Sequence, residues 1–221
     1  MKALTIWQPY LAGVLHGDGW CTRLAIGLRV KDHDFSELFC EGLNTLFGTA
    51  YAPKKDERGY WLVRSGNKTG RFDRLKTYEP TDNDELGCWL RGLFDSEGNA
   101  QLWLDHKKGP NSYHRRIAMY STDLDTLHRA AEFLEWLDVS HSIRPTKNSE
   151  THKGSKTVFE LRIIRRDGFT RFAEMVGSSI GRKQETIERM VNSYAPPGAH
   201  AAAQLKGVQA RLARVARGGT Y

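Results

Sequence analysis

Cysteine is scarce: Cys21, Cys40 and Cys88 are the whole complement of 221 residues. Their number is odd and no two stand in a C-x-x-C spacing. That excludes a zinc ribbon or a disulfide scaffold and points to a reducing compartment. Long apolar runs are also missing. The one near the start is broken by Gln8 and Pro9, so neither a signal peptide nor a transmembrane span is expected. The Asn67-Lys68-Thr69 sequon then never meets a glycosylating compartment. Negative charge is the third deficit: 26 acidic residues face 33 Lys and Arg, for a net charge of +7. A basic chain with 10% aromatic residues suits a nucleic-acid partner. Other chemistries lack their residues. Gly66-Asn67-Lys68-Thr69 departs from phosphate-loop spacing, there is no Gly-x-Ser-x-Gly elbow, and His106 and His114 have no cysteine partners.

What is present is one nonamer written twice. Leu11-Ala12-Gly13-Val14-Leu15-His16-Gly17-Asp18-Gly19 and Leu90-Arg91-Gly92-Leu93-Phe94-Asp95-Ser96-Glu97-Gly98 share Leu at position one and Gly at three and nine. Both have apolar residues at four and five, a small residue at seven and a carboxylate at eight. Positions one, four and five fall on one side of a helix. Small residues four apart let a second helix backbone come close. Two such helices, packed together, would set Asp18 beside Glu97. Carboxylates forced together repel unless protons or cations lie between them, so the pair suits a divalent metal.

The rest of the chain repeats in the same order. Pro9 suits the first turn of a helix running to about Gly19. Residues 20–31 alternate Leu24, Ile26, Leu28 and Val30 with Arg23, Ala25, Gly27 and Arg29, which reads as one strand with a basic face. Asp34 with Glu37 starts a helix through about Phe47. Tyr51–Lys54 and Tyr60–Arg64 form a hairpin, and a short helix carrying Phe72 and Leu75 stops before Pro80. Thr81 with Asp84 starts the second motif helix. Strands at 101–107 and 115–121 follow, then a helix capped by Asp125. A hairpin of 142–147 with 157–165 and helices near 168–176 and 182–193 complete the second half. The chain divides into a first repeat (1–80), a second repeat (81–194) and a basic Ala/Arg-rich tail (195–221). The first hairpin of repeat one is the shorter. The tail is either frayed or a basic arm on phosphates.

The paired nonamers resemble the LAGLIDADG motif, and over about residues 8–194 the chain resembles a monomeric homing endonuclease with two such motifs. The resemblance implies an α+β fold of two pseudo-symmetric αββαββα-like repeats, with a saddle-shaped antiparallel sheet for DNA. It implies site-specific, double-strand hydrolysis of a long DNA target, using Mg2+ (with Mn2+ or Ca2+ as substitutes in binding) held by Asp18 and Glu97. Main-chain carbonyls of Gly17 and Ser96 would be further ligands. Arg182 and Lys183 are similar to the family's basic segment near the active site; an exposed helix start is the plain alternative. Asp32 and Asp123 stand where the family often has Gln, Asn or Lys; they are either structural or bind a water. DNA contacts are expected from Arg23, Arg29, Tyr60, Arg64, Gln101, Trp103, Lys107, Arg116, Arg144, Lys147, Arg162 and Arg165. The expected protein is a monomer in the cytoplasm or an organellar matrix, encoded by an intron or another mobile element. Met1 so near the first motif makes an intein context less natural. The alternative within the same fold is an RNA-binding intron maturase, with host intron RNA as partner, or a DNA-binding protein that does not cleave.

Overall fold

A computed structural model describes residues 6–67, 69–104, 112–146 and 157–194. Lys107, Lys147, the 108–111 turn and the 195–221 tail therefore lie outside the described residues.

Two motif helices form the centre. α1 (Trp7–Leu15) packs along α4 (Asn83–Glu97), each buried on most sides. Around α1 come β1 (Gly19–Cys21), β2 (Ala25–Val30), α2 (His33–Phe47), β3 (Lys54–Lys55), β4 (Trp61–Gly66) and the single turn α3 (Asp73–Lys76). Around α4 come β5 (Gly98–Leu104), β6 (Tyr113–Ser121), α5 (Leu124–Trp136), β7 (Ser142–Pro145), β8 (Phe159–Ile163), α6 (Arg166–Met175) and α7 (Gly181–Asn192). Both sheets are antiparallel and share one topology, β1-β2-β4-β3 and β5-β6-β8-β7. This is an α+β fold with matched halves, and residues up to Val191 form one compact unit.

Each sheet buries one face on helices. In the first, Ile26, Leu28, Val30 and Val63 join Tyr10, Leu11, Val14, Phe35, Phe39 and Leu43 in one core. In the second, Ile117, Met119, Leu161 and Ile163 are buried. The other faces carry the polar residues, as period-two strands require.

Two local expectations are corrected. The expected strand over 20–31 is a hairpin: Thr22 Oγ1 accepts from Leu24 N and Ala25 N at 3.2 and 3.1 Å, and Leu24 sits exposed at the tip. The apolar alternation simply runs on through the turn. The helix caps are Asp32, Asp82 and Asp123, not Asp34, Thr81 and Asp125. A cap needs extended backbone and a carboxylate reaching an N–H of the first turn; Asp82 does this to Glu85 N at 2.9 Å. Glu85 in turn accepts from Thr81 N at 2.8 Å. Gly98 ends α4 and opens β5 with extended backbone (φ −92°, ψ 153°). Glycine is needed there because a side chain would strike the Phe94 ring and carbonyl.

Candidate active site and nucleic-acid face

α1 ends at Leu15, so His16, Gly17 and Asp18 form the turn beyond it, whereas Glu97 is the last residue of α4. Asp18 N donates to Ser96 Oγ at 2.8 Å, which stitches the two helix ends together. A side chain on Gly17 would meet the Ser96 side chain and come within 3.0 Å of Glu97 Cγ. The two motif acids are thereby neighbours. Partial burial raises both carboxyls above their ordinary range. The charge of Asp18 raises Glu97 further, to about 7, while Lys183 pulls both back down. Two oxygen acids that repel each other at a protein surface are the donor set of a hard divalent cation.

Lys183 lies on the first turn of α7 and is buried (7% exposed). Its Nζ donates to the carbonyls of Phe94 and Asp95 at 2.9 and 2.8 Å in the last turn of α4, where Phe94 O also accepts from Gly98 N. Burial, then the neighbouring Arg182, lowers its pKa to about 8, against the pull of Asp95, Asp18 and Asp32. Arg182 points elsewhere. It is exposed and bonds Asp32 Oδ2 through Nη2 at 2.9 Å and Nε at 3.2 Å. Asp32 Oδ1 caps α2 at Phe35 N. Asp123 likewise spends its oxygens on Asp125 N and Thr126 Oγ1 at 3.1 and 2.8 Å. Of the two readings left open for these aspartates, their bonds support the structural one.

A buried acid in the second motif carries no expectation from the sequence. Asp95 (2% exposed) accepts from Tyr10 Oη and Ser179 N at 3.0 Å each, and from Ser178 Oγ. Tyr10 is on α1 and the serines precede α7, so Asp95 ties the other repeat and the Lys183 segment to one point. Its place two residues before Glu97 was the available signal. Position six of the first copy is His16, tilted against Trp89 with ring centres 5.2 Å apart.

Strand register places the remaining candidates. Gln101 pairs with Arg116, Trp103 with His114, Ala118 with Arg162, and both Tyr120 and Arg144 with Glu160. Gln101, Trp103, Arg116, Arg144 and Arg162 therefore share the face opposite the core. On the first sheet, Arg29 and Arg64 share the corresponding face through their pairs Leu62 and Gly27. Arg29 is held by Asp56 at 2.7 Å and lies over the Tyr60 ring at 4.2 Å. Trp103 stacks on His114 with centres 5.1 Å apart. Arg23 stands at the exposed tip between β1 and β2. Among the described residues, Arg162 Nε is buried and has no hydrogen-bond partner. Arg165 is the exception. It is the N-cap of α6, beside a cleft of about 510 Å³ lined also by Glu135, Asp138 and His141. The sequence reading missed Glu160, a 2% exposed acid on this basic face.

Comparison with known proteins bears on the fold. Residues 84–177 match the family model of the LAGLIDADG-like domain. An uncharacterized protein of Methanocaldococcus jannaschii is 28% identical over 161 residues, covering 66% of this chain and 59% of that protein. The chain thus spans about three fifths of that relative's length. Among solved structures, full-length DUF199/WhiA from Thermatoga maritima superposes with a TM-score of 0.63 at 16% identity, over 96% of this chain and 68% of that one. The homing endonuclease I-DmoI, in complex with DNA and Ca, superposes with a TM-score of 0.59 at 15% identity, over 85% of this chain and all of that one. At these identities the likeness establishes the fold, which is that of the LAGLIDADG homing endonucleases.

Proposed function

We propose that this LAGLIDADG-fold chain is a site-specific, double-strand DNA endonuclease dependent on a divalent cation. The observation that carries the reading is the junction of the motif helices. Both acids are retained there, held side by side, with a buried lysine at their edge. Asp18 and Glu97 would hold the cation, with the carbonyls of Gly17 and Ser96 as further oxygen ligands; Mg2+ is the natural ion, and Mn2+ or Ca2+ would bind the same donors. When bound, such a cation supplies a nucleophilic water and neutralises charge on the leaving oxygen.

The chain's own groups do the rest. The two acids come from different repeats, so a duplex centred on their junction offers one strand to each. Lys183, with a pKa brought down to about 8, is suited to hold or give a proton at the leaving oxygen. It serves this site without Arg182, which is engaged by Asp32. The outward faces of the two sheets would form the saddle on the DNA, with Arg23, Arg29, Tyr60, Arg64, Gln101, Trp103, Arg144 and Arg162 as the contacting set and Arg116 bonded among them. The reading places the protein, as a monomer, wherever it has access to DNA. No helix among the described residues is long and apolar enough to cross a membrane.

The test is cleavage of a library of long duplexes with Mg2+ by the parent, Asp18→Asn and Glu97→Gln. Linear product from the parent alone supports the endonuclease and yields its site. Binding without cutting, indifferent to both substitutions, would leave the acids as scaffold and favour the non-cleaving alternatives: a DNA-binding protein, or a maturase if intron RNA is preferred.

A further inference from the structure

One carboxylate sits among the arginines on the outward face of the second sheet. Glu160 Oε1 lies 3.2 Å from Arg116 Nη1 and accepts from the Tyr120 hydroxyl at 3.3 Å. Its Oε2 accepts from Arg144 Nε at 2.8 Å. Arg116 also gives Nε, at 3.0 Å, and Nη2 to Gln101 Oε1. The cluster takes Gln101 from β5, Arg116 from β6, Arg144 from β7 and Glu160 from β8. Every strand of the sheet contributes a member, and β6 adds Tyr120 as well.

A buried acid is a poor choice for a surface that meets phosphates. It is costly to desolvate, and it repels a polyanion. The core does not require it, because Leu161 and Ile163 fill the helix side of β8. Its effect is to sort the donors around it. Arg116 has Nε, Nη1 and Nη2 all engaged within the protein and becomes a strut. Arg144 gives Glu160 only its Nε, and its side chain is half exposed, so the Nη1/Nη2 edge remains for a ligand. Gln101 is constrained as well. An arginine can only donate, so the atom facing Arg116 has to be the amide oxygen. What Gln101 has left to offer is its NH2.

The free edge of Arg144 and the NH2 of Gln101 are therefore donors alone. In the major groove guanine presents two acceptors, O6 and N7, whereas adenine needs a donor and an acceptor from the same amide. We propose that Glu160 determines specificity as a positioning residue: it holds Arg144, and through Arg116 also Gln101, as donor-only groups that select guanine in the half-site under the second sheet. The inference rests on the DNA-binding part of the function proposed above.

The experiment selects bound duplexes from a randomised pool, without divalent cation so that binding is measured apart from cutting. Parent, Arg144→Ala and Glu160→Gln are compared, with melting temperatures alongside. The parent is expected to enrich guanine at fixed positions on one side of its site. Arg144→Ala should lower the preference at one of these positions about tenfold, the usual scale of a bidentate contact. Glu160→Gln should relax that position and the one read by Gln101. A role limited to holding the sheet together would instead weaken binding to all sequences equally and leave the preference intact. That result overturns the inference, as does a second half-site without guanine. Arg144→Ala alters an exposed side chain, so the guanine contact is tested even if Glu160→Gln does not fold, and an unchanged preference in Arg144→Ala overturns the inference. A parent that selects no sequence at all overturns the DNA-binding reading itself, and this inference with it.

Discussion

Gly13 rests its backbone on the carbonyl of Trp89: a methyl group at residue 13 would stand 2.0 Å from that oxygen. The contact is reciprocal, since one at Gly92 would stand 2.0 Å from the carbonyl of Tyr10. Backbone meets backbone with nothing flexible between to yield. In an isolated helix, alanine in place of glycine would stabilise by about 1 kcal/mol. Here the methyl group has to push the motif helices apart, and overpacking of this kind costs roughly 1–3 kcal/mol or more. Gly13→Ala is expected to lower the melting temperature by several degrees. An unchanged or raised melting temperature would show that the helices do not touch at this point.

Glu97 predicts a pH dependence of stability in the cation-free protein. Its carboxyl is raised to about 7 in the fold from an ordinary value of 4.5. The folded state thus binds the proton more tightly than the unfolded state between those values, so stability falls as pH rises from about 4.5 to 7. Because the group is partly exposed, the loss is expected to be only on the order of 1–2 kcal/mol. The depressed Lys183 acts in a separate window, between about 8 and 10.5, where stability should rise with pH. Melting curves at pH 5 and pH 7 should therefore differ for the parent and converge for Glu97→Gln. Millimolar Mg2+ or Ca2+ should remove most of the difference. A parent with equal stability at both pH values would mean that the motif acids are not forced together.

Lys183→Met keeps most of the buried stem and removes the charge. It removes the lysine's bonds to the carbonyls of Phe94 and Asp95, of which Phe94 O keeps the Gly98 N–H, a loss of about 1–3 kcal/mol. Cleavage should fall about 10²-fold or more, the usual scale for a positioned proton donor, while DNA affinity changes little. Arg182→Ala provides the contrast: it frees Asp32 and should leave the cleavage rate within a few fold. Equal losses from both substitutions would mean that the segment works as general positive charge.

How far the sequence predicted all this follows from which forces are local. The motif helices were legible because small residues four apart, and acids at matching positions, state their purpose within nine residues. The outward faces of the second sheet were legible through alternation, as at Phe159-Glu160-Leu161-Arg162. The caps were not, because Asp32 and Asp34, like Asp123 and Asp125, lie two apart and either can cap until the backbone is known. The break at Thr22 was hidden by an apolar pattern that ignores it. The roles of Glu160 and Asp95 were hidden for a common reason, whatever the place of Asp95 in the motif signalled. A buried carboxylate is explained by its partners, and those of Asp95 lie 85 and 83 residues away.

Asp95 leads to the last prediction. Three donors converge on it: the Tyr10 hydroxyl, the Ser178 hydroxyl and the Ser179 amide. Burial still keeps its pKa above the ordinary carboxylate value despite them and Lys183. Tyr10→Phe removes one donor and leaves two, at an expected cost of about 1 kcal/mol. Asp95→Ala strands all three donors in the interior and should cost several times as much. The double substitution should be less destabilising than the sum, because it removes both ends of one bond. Denaturant titrations of the four proteins measure that coupling, and additivity would show that the two groups do not interact. Function should separate the same pair. The Ser178–Ile180 segment leads directly into α7, so loosening it through Asp95→Asn displaces Lys183, whereas Tyr10→Phe leaves that segment anchored. Compared at temperatures of equal residual stability, Asp95→Asn should cleave at least tenfold more slowly than Tyr10→Phe. If the two cleave alike, Asp95 only joins the repeats and takes no part in placing the lysine.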